Sequence, residues 1–305
     1  MLKKVEDLLE YAKKANTKKI AVVFAHDPYV IEAVKNAMEY GVIEPLLIGD
    51  GPIIQELTDK YNYEQPYQII DIKDGEEATK KAMDLVNSGE VEILMKGLID
   101  TKVLLKGVVN KEYGIRQATL LSHVGLVSYP NFDRVLFATD GAMNIEPTVE
   151  EKIMIIENAV TLAHNLGYLE PKVGLVSAVE KLNPKIKSTV DSEAIKAYYH
   201  QNPPKGFIID GPFAIDNLVS IEAAKHKGIE SPIAGMADIL VFPQLDGGNI
   251  FYKTSVFLAG GESAGLIIGA KVPIVLTSRA DSAKAKLLSI LLAVVKQDGL
   301  LDLSH

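Results

Sequence analysis

Ser278, Arg279 and Asp281 carry the strongest chemical suggestion in the chain. They lie in residues 273–282, P-I-V-L-T-S-R-A-D-S, where an apolar β-branched run of strand length stops abruptly in polar residues. After it, leucines at 287, 288, 291 and 292 and a valine at 295 have the spacing of an apolar helix face over 283–295. Ser278, Asp281 and Ser282 are all good N-cap types, so Thr277, Ser278 and Arg279 leave a buried strand just ahead of a helix N-terminus. Free backbone N–H groups and the helix dipole favour an anion there, and a guanidinium adds a fork that fits phosphate or carboxylate. Arg279 is one of three arginines against 29 lysines. Taken alone, the same pattern also describes a βα loop with a surface arginine and a capping aspartate.

A second strand end has similar character. Residues 92–96, E-I-L-M-K, run into Lys96-Gly97-Leu98-Ile99-Asp100-Thr101 ahead of a helix expected over 101–111, followed by Tyr113-Gly114-Ile115-Arg116. Ligands of open α/β sheets sit outside the carboxyl ends of the strands, so Lys96 and Thr101 fall where a phosphate could be met. The alternative is a solvated lysine and a helix capped by Asp100 or Thr101. Further along, Asp210-Gly211-Pro212 and residues 242–249, F-P-Q-L-D-G-G-N, mark strand ends. Gly247-Gly248 lets backbone approach a ligand closely or serves an ordinary turn. Six histidines are scattered without metal-site spacing, and His26 and His123, at strand ends, are the pocket candidates among them.

These positions must be held by a scaffold, and the pattern for one is regular. Apolar strands at 19–25, 45–49, 67–72 and 92–96 alternate with helices at 5–15, 29–40, after 51–52, and at 75–87. Such alternation argues a largely parallel sheet covered on both faces. Around 122–138 two adjacent strands are joined by the turn-prone Pro130-Asn131-Phe132-Asp133, a hairpin-like shift suited to a domain crossing. A long helix over 147–167 and a second α/β series follow, with strands at 172–177, 207–210, 239–242 and 266–268. Its helices are expected near 192–199, 216–227 and 249–259.

At 305 residues two domains are the better expectation. The net charge of −8 argues against a general nucleic-acid or membrane surface, so an anionic ligand needs a local basic pocket. With no cysteine, disulfides, thiolate metal sites and a cysteine nucleophile are excluded. The opening M-L-K-K-V-E-D-L-L-E carries charge where a signal peptide has its apolar core, and no apolar run approaches the ~18 residues of a membrane span. A cytoplasmic protein is expected. No P-loop, G-x-G-x-x-G or G-x-S-x-G motif is present.

Taken together, the strand ends resemble the phosphate acetyl/butyryltransferase family, its butyryl-transferring branch in particular. The matching segments are L-M-K-G-L-I-D-T (94–101), L-S-H-V (121–124), T-D-G-A-M-N (139–144) and V-E-K-L-N-P-K (179–185). V-D-S-E-A (190–194), D-G-P-F-A-I-D-N (210–217), A-A-K-H-K-G-I (223–229), F-P-Q-L-D-G-G-N-I-F-Y-K (242–253) and P-I-V-L-T-S-R-A-D-S complete the series. The resemblance implies reversible transfer of a short acyl group between coenzyme A, as substrate, and inorganic phosphate, with no tightly bound cofactor and no metal. It implies two α/β domains with mostly parallel sheets, similar to the isocitrate and isopropylmalate dehydrogenase fold, with the active site in the interdomain cleft. The division expected is 1–128 plus 275–305 for one domain and 129–274 for the other, in a homo-oligomer that binds neither nucleic acid nor membrane.

The relatives' L-S-R-G-C-S places its serine and arginine at the thioester and phosphate, which carries over to Ser278 and Arg279. Their proposed base, three residues after the second serine, falls on Ala285, so Asp281 is taken as the substitute. Lys96, Gly97, Thr101, Arg116, Asp140, Asn144, Gly248, Asn249, Tyr252, Lys253 and Thr277 are the expected substrate contacts. Besides an acetyl-transferring variant, two other classes stay open. One is an NAD(P)-dependent decarboxylating dehydrogenase of similar fold, for which Asp191, Asp210, Asp216 and Asp238 are available but not in D-x-x-x-D spacing. The other is a catalytically weak CoA-binding protein, suggested by Ala285.

Overall fold

The computed structural model describes residues 2–299. A 3-10 turn at Val5–Asp7 opens into α1 (Leu8–Ala12), followed by β1 (Lys18–Val23), α2 (Pro28–Glu39), β2 (Ile43–Gly49) and α3 (Gly51–Lys60). Then come β3 (Gln68–Asp71), α4 (Gly75–Asn87), β4 (Ile93–Lys96) and α5 (Thr101–Val108). The middle of the chain forms β5 (Ser122–Ser128), β6 (Leu136–Thr139), α6 (Val149–Asn165), β7 (Lys172–Val176), α7 (Lys187–Gln201) and β8 (Ile208–Phe213). It continues with α8 (Ile215–Val219), α9 (Ile221–His226), β9 (Ile239–Val241) and α10 (Leu245–Phe257). Last are β10 (Glu262–Ile268), β11 (Ile274–Val275) and α11 (Ala283–Asp298). The architecture is α/β with mostly parallel strands, as the alternation of apolar runs and helices requires.

The chain gathers into two compact units. Among the described residues the first holds 6–121 with 263–299, the second 2–5 with 122–262. These limits differ from the division expected from sequence at residues 2–5, which go with the second unit, and in two strands. β5 pairs antiparallel with β6 and so goes with the second unit, while β10 pairs antiparallel with β11 and stays with the first.

In the first unit the strand order is β3-β2-β1-β4-β11-β10, and all pairs but β10–β11 are parallel. Register is set by buried runs such as Ile20–Val23 against Ile93–Lys96, with Val23 opposite Lys96. Aspartates start four of the helices that follow. Asp27, Asp50, Asp74 and Asp100 each accept a first-turn N–H with the side chain, capping α2, α3, α4 and α5. α11 packs on α1 and α2, and is buried almost all round from Leu288 to Val295. After β1 the chain turns to β2 on one side. After β4 it heads the other way, past β11, to the Arg116–Ala270 bridge. The carboxyl ends of β1 and β4 therefore form a topological switch point, where open α/β sheets bind ligands.

In the second unit the order is β5-β6-β9-β7-β8, parallel except for β5. The helix expected over 216–227 is two, because Ser220 interrupts it and caps α9 through its hydroxyl. α10 begins at Leu245 rather than Asn249: the Gln244 side chain accepts the Gly247 N–H at 3.0 Å, so Gly247-Gly248 forms the first helical turn and not a flexible loop.

Candidate active site

The polar loop between β11 and α11 is closed from both sides. Ser282 caps α11, its hydroxyl accepting the Ala285 N–H at 3.2 Å. Asp281 is therefore not the cap. It is 7% exposed, and its Oδ2 accepts the Ser278 N–H at 2.7 Å, while its own N–H donates to the Ser278 carbonyl at 3.2 Å. From the first turn of α11, Lys286 reaches under the loop and donates Nζ to Ser278 O at 2.8 Å and to Asp281 O at 3.0 Å. The backbone polar groups of Ser278 are thus used within the loop. Its hydroxyl, which accepts the Ala280 N–H at 3.3 Å, and the exposed Arg279 side chain are left to meet a ligand, with Thr277 half-buried at the strand exit.

Lys96 ends β4 at the same edge of the sheet. It is 5% exposed, and among the described residues its ammonium has a carbonyl, Gly97 O at 3.1 Å, and no carboxylate partner. Burial, then the neighbouring Arg279 and Lys286 cations, hold its pKa below the ordinary lysine value, against the pull of Asp100 and Asp27. Lys286 is held low by burial too, with Asp281 and Asp27 opposing. Three cations close enough to feel one another thus share one strand-end edge of an acidic protein. Such a cluster is suited to a polyanion.

Gly97 has a structural reason of its own. A Cβ there would lie 2.1 Å from Phe24 O, because Gly97 and Leu98 donate N–H to Val23 O and Phe24 O, both at 2.8 Å. This close approach brings the exits of β1 and β4 together. Thr101 opens α5 but does not cap it; Asp100 does, accepting the Lys102 N–H at 2.7 Å. His26, beside the β1 exit, packs its ring on Phe24 with centroids 4.8 Å apart. Burial holds its pKa below the usual histidine value, against Asp50 and Asp27, and its Nδ1 is buried without a hydrogen-bond partner among the described residues.

The second unit has its own strand-end cluster. Asp140, 3% exposed after β6, accepts Ala142 N at 2.8 Å and Met143 N at 2.9 Å through Oδ1. Its Oδ2 accepts His123 N at 3.1 Å and Asn144 Nδ2 at 2.6 Å. One carboxylate therefore shapes the whole T-D-G-A-M-N turn and ties β5 to it. α10 packs its first turn onto this turn: a Cβ on Gly248 would lie 2.5 Å from Asp140 O. Asn249 Nδ2 donates to Gly141 O at 3.1 Å. Lys253 is not simply solvated, since its ammonium lies 5.6 Å from the Tyr252 ring centroid and 5.7 Å from that of Phe257.

Lys96, Gly97, Thr101, Thr277, Ser278, Arg279 and Asp281 share the carboxyl-end edge of the first unit's parallel strands. Asp140, Asn144, Gly248, Asn249, Tyr252 and Lys253 gather around the β6 exit and α10. Arg116 is the exception. Its backbone bridges Ala270 in the turn between β10 and β11, at the amino-terminal edge of the parallel strands. Lys286 is the residue that sequence reasoning passed over. Among the described residues no group of three or more His, Cys, Asp or Glu is placed to hold a metal ion, and no helix is long and apolar enough to cross a membrane.

Comparison with known proteins agrees with this geometry. Residues 75–294 match the family model described as phosphate acetyl/butaryl transferase. A phosphate butyryltransferase of Clostridium beijerinckii is 43% identical over 97% of this chain and 98% of its own length. A phosphate acetyltransferase of Thermotoga maritima is 44% identical over 95% of this chain and 99% of its own. The crystal structure of a branched-chain phosphotransacylase from Enterococcus faecalis V583 superposes with a TM-score of 0.84 at 34% identity, covering 93% of this chain and all of that one. With a family match over residues 75–294 and relatives more than 40% identical over nearly its whole length, the chain belongs to the phosphate acetyl/butaryl transferase family.

Proposed function

We propose that this protein transfers a short acyl group reversibly between coenzyme A and inorganic phosphate, with butyryl-CoA preferred. The observation that carries the reading is the pairing of Lys96 and Arg279 at the exits of the neighbouring strands β4 and β11, a cationic edge beside Ser278 on a chain of net charge −8. In the direction of thioester formation the CoA sulfur bonds to the carbonyl carbon of the acyl phosphate. The thiol proton passes to a base, for which Asp281 is the candidate. The carbonyl oxygen carries negative charge until the carbon–oxygen bond to phosphate breaks and phosphate departs with the electron pair. Ser278 donates its hydroxyl to the developing oxyanion, and Arg279 and Lys96 stabilise the phosphate. With no cysteine to hold an acyl group, CoA attacks directly in a ternary complex.

Gly97 and Thr101 serve this site by shaping the β4 exit, and Thr277 by presenting Ser278. Asp140, Asn144, Gly248, Asn249, Tyr252 and Lys253 form a further substrate-contacting surface, organised by the Asp140 carboxylate. Arg116 has no part in the phosphate contacts proposed here. The same proposal includes the finer likeness to the isocitrate and isopropylmalate dehydrogenases, homo-oligomeric assembly and a cytoplasmic setting. The test is a panel of initial rates with acetyl-, propionyl-, butyryl- and isobutyryl-CoA plus phosphate, following CoA release without nucleotide or metal. Acyl-phosphate formation is expected, and its absence with every thioester would remove the reading.

A further inference from the structure

We infer that Lys286 is a positioning residue for Ser278. This rests on the acyl-transfer reading above and adds to it a group that touches neither substrate nor the reacting atoms. Lys286 is 3% exposed on a helix whose other buried positions are small or aliphatic, except Ser289. Burying an ammonium there is costly unless its protons are used. Two of them are, at 2.8 Å on Ser278 O and 3.0 Å on Asp281 O.

The two acceptors are the first and last residues of the S-R-A-D turn, and the Asp281 carboxylate crosses the same turn to Ser278 N at 2.7 Å. Ser278 is therefore fixed through both its carbonyl and its amide, by one cation and one anion. A backbone so held leaves the hydroxyl direction dependent on χ1 alone. Displacements near 1 Å at a reacting group can cost about 10²-fold in rate, which is the reason to clamp it. The placement in sequence fits as well. Ala285 stands where the resemblance expects an acidic base, and Lys286, next to it, turns into the loop.

The experiment is a double-mutant cycle on acyl-phosphate formation from butyryl-CoA and phosphate. Turnover by the unaltered protein checks the acyl-transfer reading; if it fails, that reading fails, whatever the variants do. Given turnover, Lys286→Met is expected to lose about 10²-fold in kcat with KM for both substrates within threefold. The double variant Ser278→Ala/Lys286→Met is expected to be no slower than Ser278→Ala, because Lys286 acts through Ser278. Lys286→Met within threefold of the unaltered kcat overturns the inference. So does a double variant whose losses multiply, since that is the signature of two residues acting independently. If Lys286→Met does not fold, Lys286→Gln, which keeps an amide donor on a shorter stem, takes its place with the same readouts. Failure of both to fold would make Lys286 a purely structural lysine and overturn the inference as well.

Discussion

Asp281 and Ser278 hold each other twice. The Asp281 carboxylate accepts the Ser278 N–H at 2.7 Å, and the Asp281 N–H donates to the Ser278 carbonyl at 3.2 Å. A carboxylate so placed can act as a base through its other oxygen, or serve only to close the turn. Which it does is a question of charge and not of shape.

Asp281→Asn separates the two, because the amide oxygen still accepts from Ser278 N while the base is gone. General-base help contributes typically 10²–10⁴-fold, so a loss of at least 10²-fold in kcat is expected with little change in melting temperature. Asp281→Ala should lose the same activity and also stability, on the order of 1–3 kcal/mol, for the amide left unpaired. An Asp281→Asn enzyme with near-normal turnover would reduce Asp281 to a turn residue.

Arg279 is exposed, and its backbone lies in the clamped turn, so its side chain is free to serve a ligand. A planar guanidinium meets two phosphate oxygens through parallel N–H groups, which an ammonium cannot reproduce. Arg279→Lys should lower kcat/KM by ~10²-fold or more and leave thermal unfolding unchanged. Normal turnover in the folded variant would make the residue a surface arginine.

The β/α alternation was legible because each of β1 to β4 is a short, mostly apolar run followed by an aspartate that caps the next helix. The Ser278 loop was legible for the same reason, as a buried run broken by polar residues. Lys286 was not, since a lysine two residues from another in A-K-A-K reads as solvated. The signal lay in its surroundings: residues 288–295 are apolar apart from Ser289, so the helix has little wet face to give it. The backbone of Arg116 lies away from the other candidate residues of the first unit for a geometric reason. α5 has 8 residues, about 12 Å at 1.5 Å each, and β4 has 4, about 13 Å, so the helix returns the chain to the opposite edge of the sheet. Gly247-Gly248 read as a loop because the cap belongs to Gln244, an uncommon capping residue.

Acyl preference is set by pocket shape, and relatives named for butyryl and for acetyl transfer are equally similar to this chain, at 43% and 44% identity. What favours butyryl is the resemblance of the matching segments to the butyryl-transferring branch. The kcat/KM for butyryl-CoA should exceed that for acetyl-CoA. One methylene is worth ~1–3 kcal/mol in an apolar pocket, so the two-carbon difference should be plain in the rate panel. A preference for acetyl-CoA would move the chain to the other branch. Lines for CoA at several acyl-phosphate concentrations should intersect, and parallel lines would overturn direct transfer.

Lys96 links the site to stability. Its folded pKa lies below the unfolded value of 10.5, through burial first and then Arg279 and Lys286. Between the two values the unfolded chain holds more protons, so by linkage stability rises with pH across that window and is complete above 10.5. Below the window the charged lysine destabilises the fold by the full shift. A phosphate dianion at this edge would offset that repulsion, and at a hundredfold over its Kd would add ~2.7 kcal/mol. Lys96→Met should then melt higher than the unaltered protein at neutral pH without phosphate, gain less on raising the pH toward 10.5, and lose most of the phosphate-induced rise in Tm along with its activity. Thermal melts of both proteins with phosphate and with chloride at equal ionic strength check this. If Lys96→Met keeps the full phosphate-induced rise, the anion binds elsewhere, and the part assigned to Lys96 is lost.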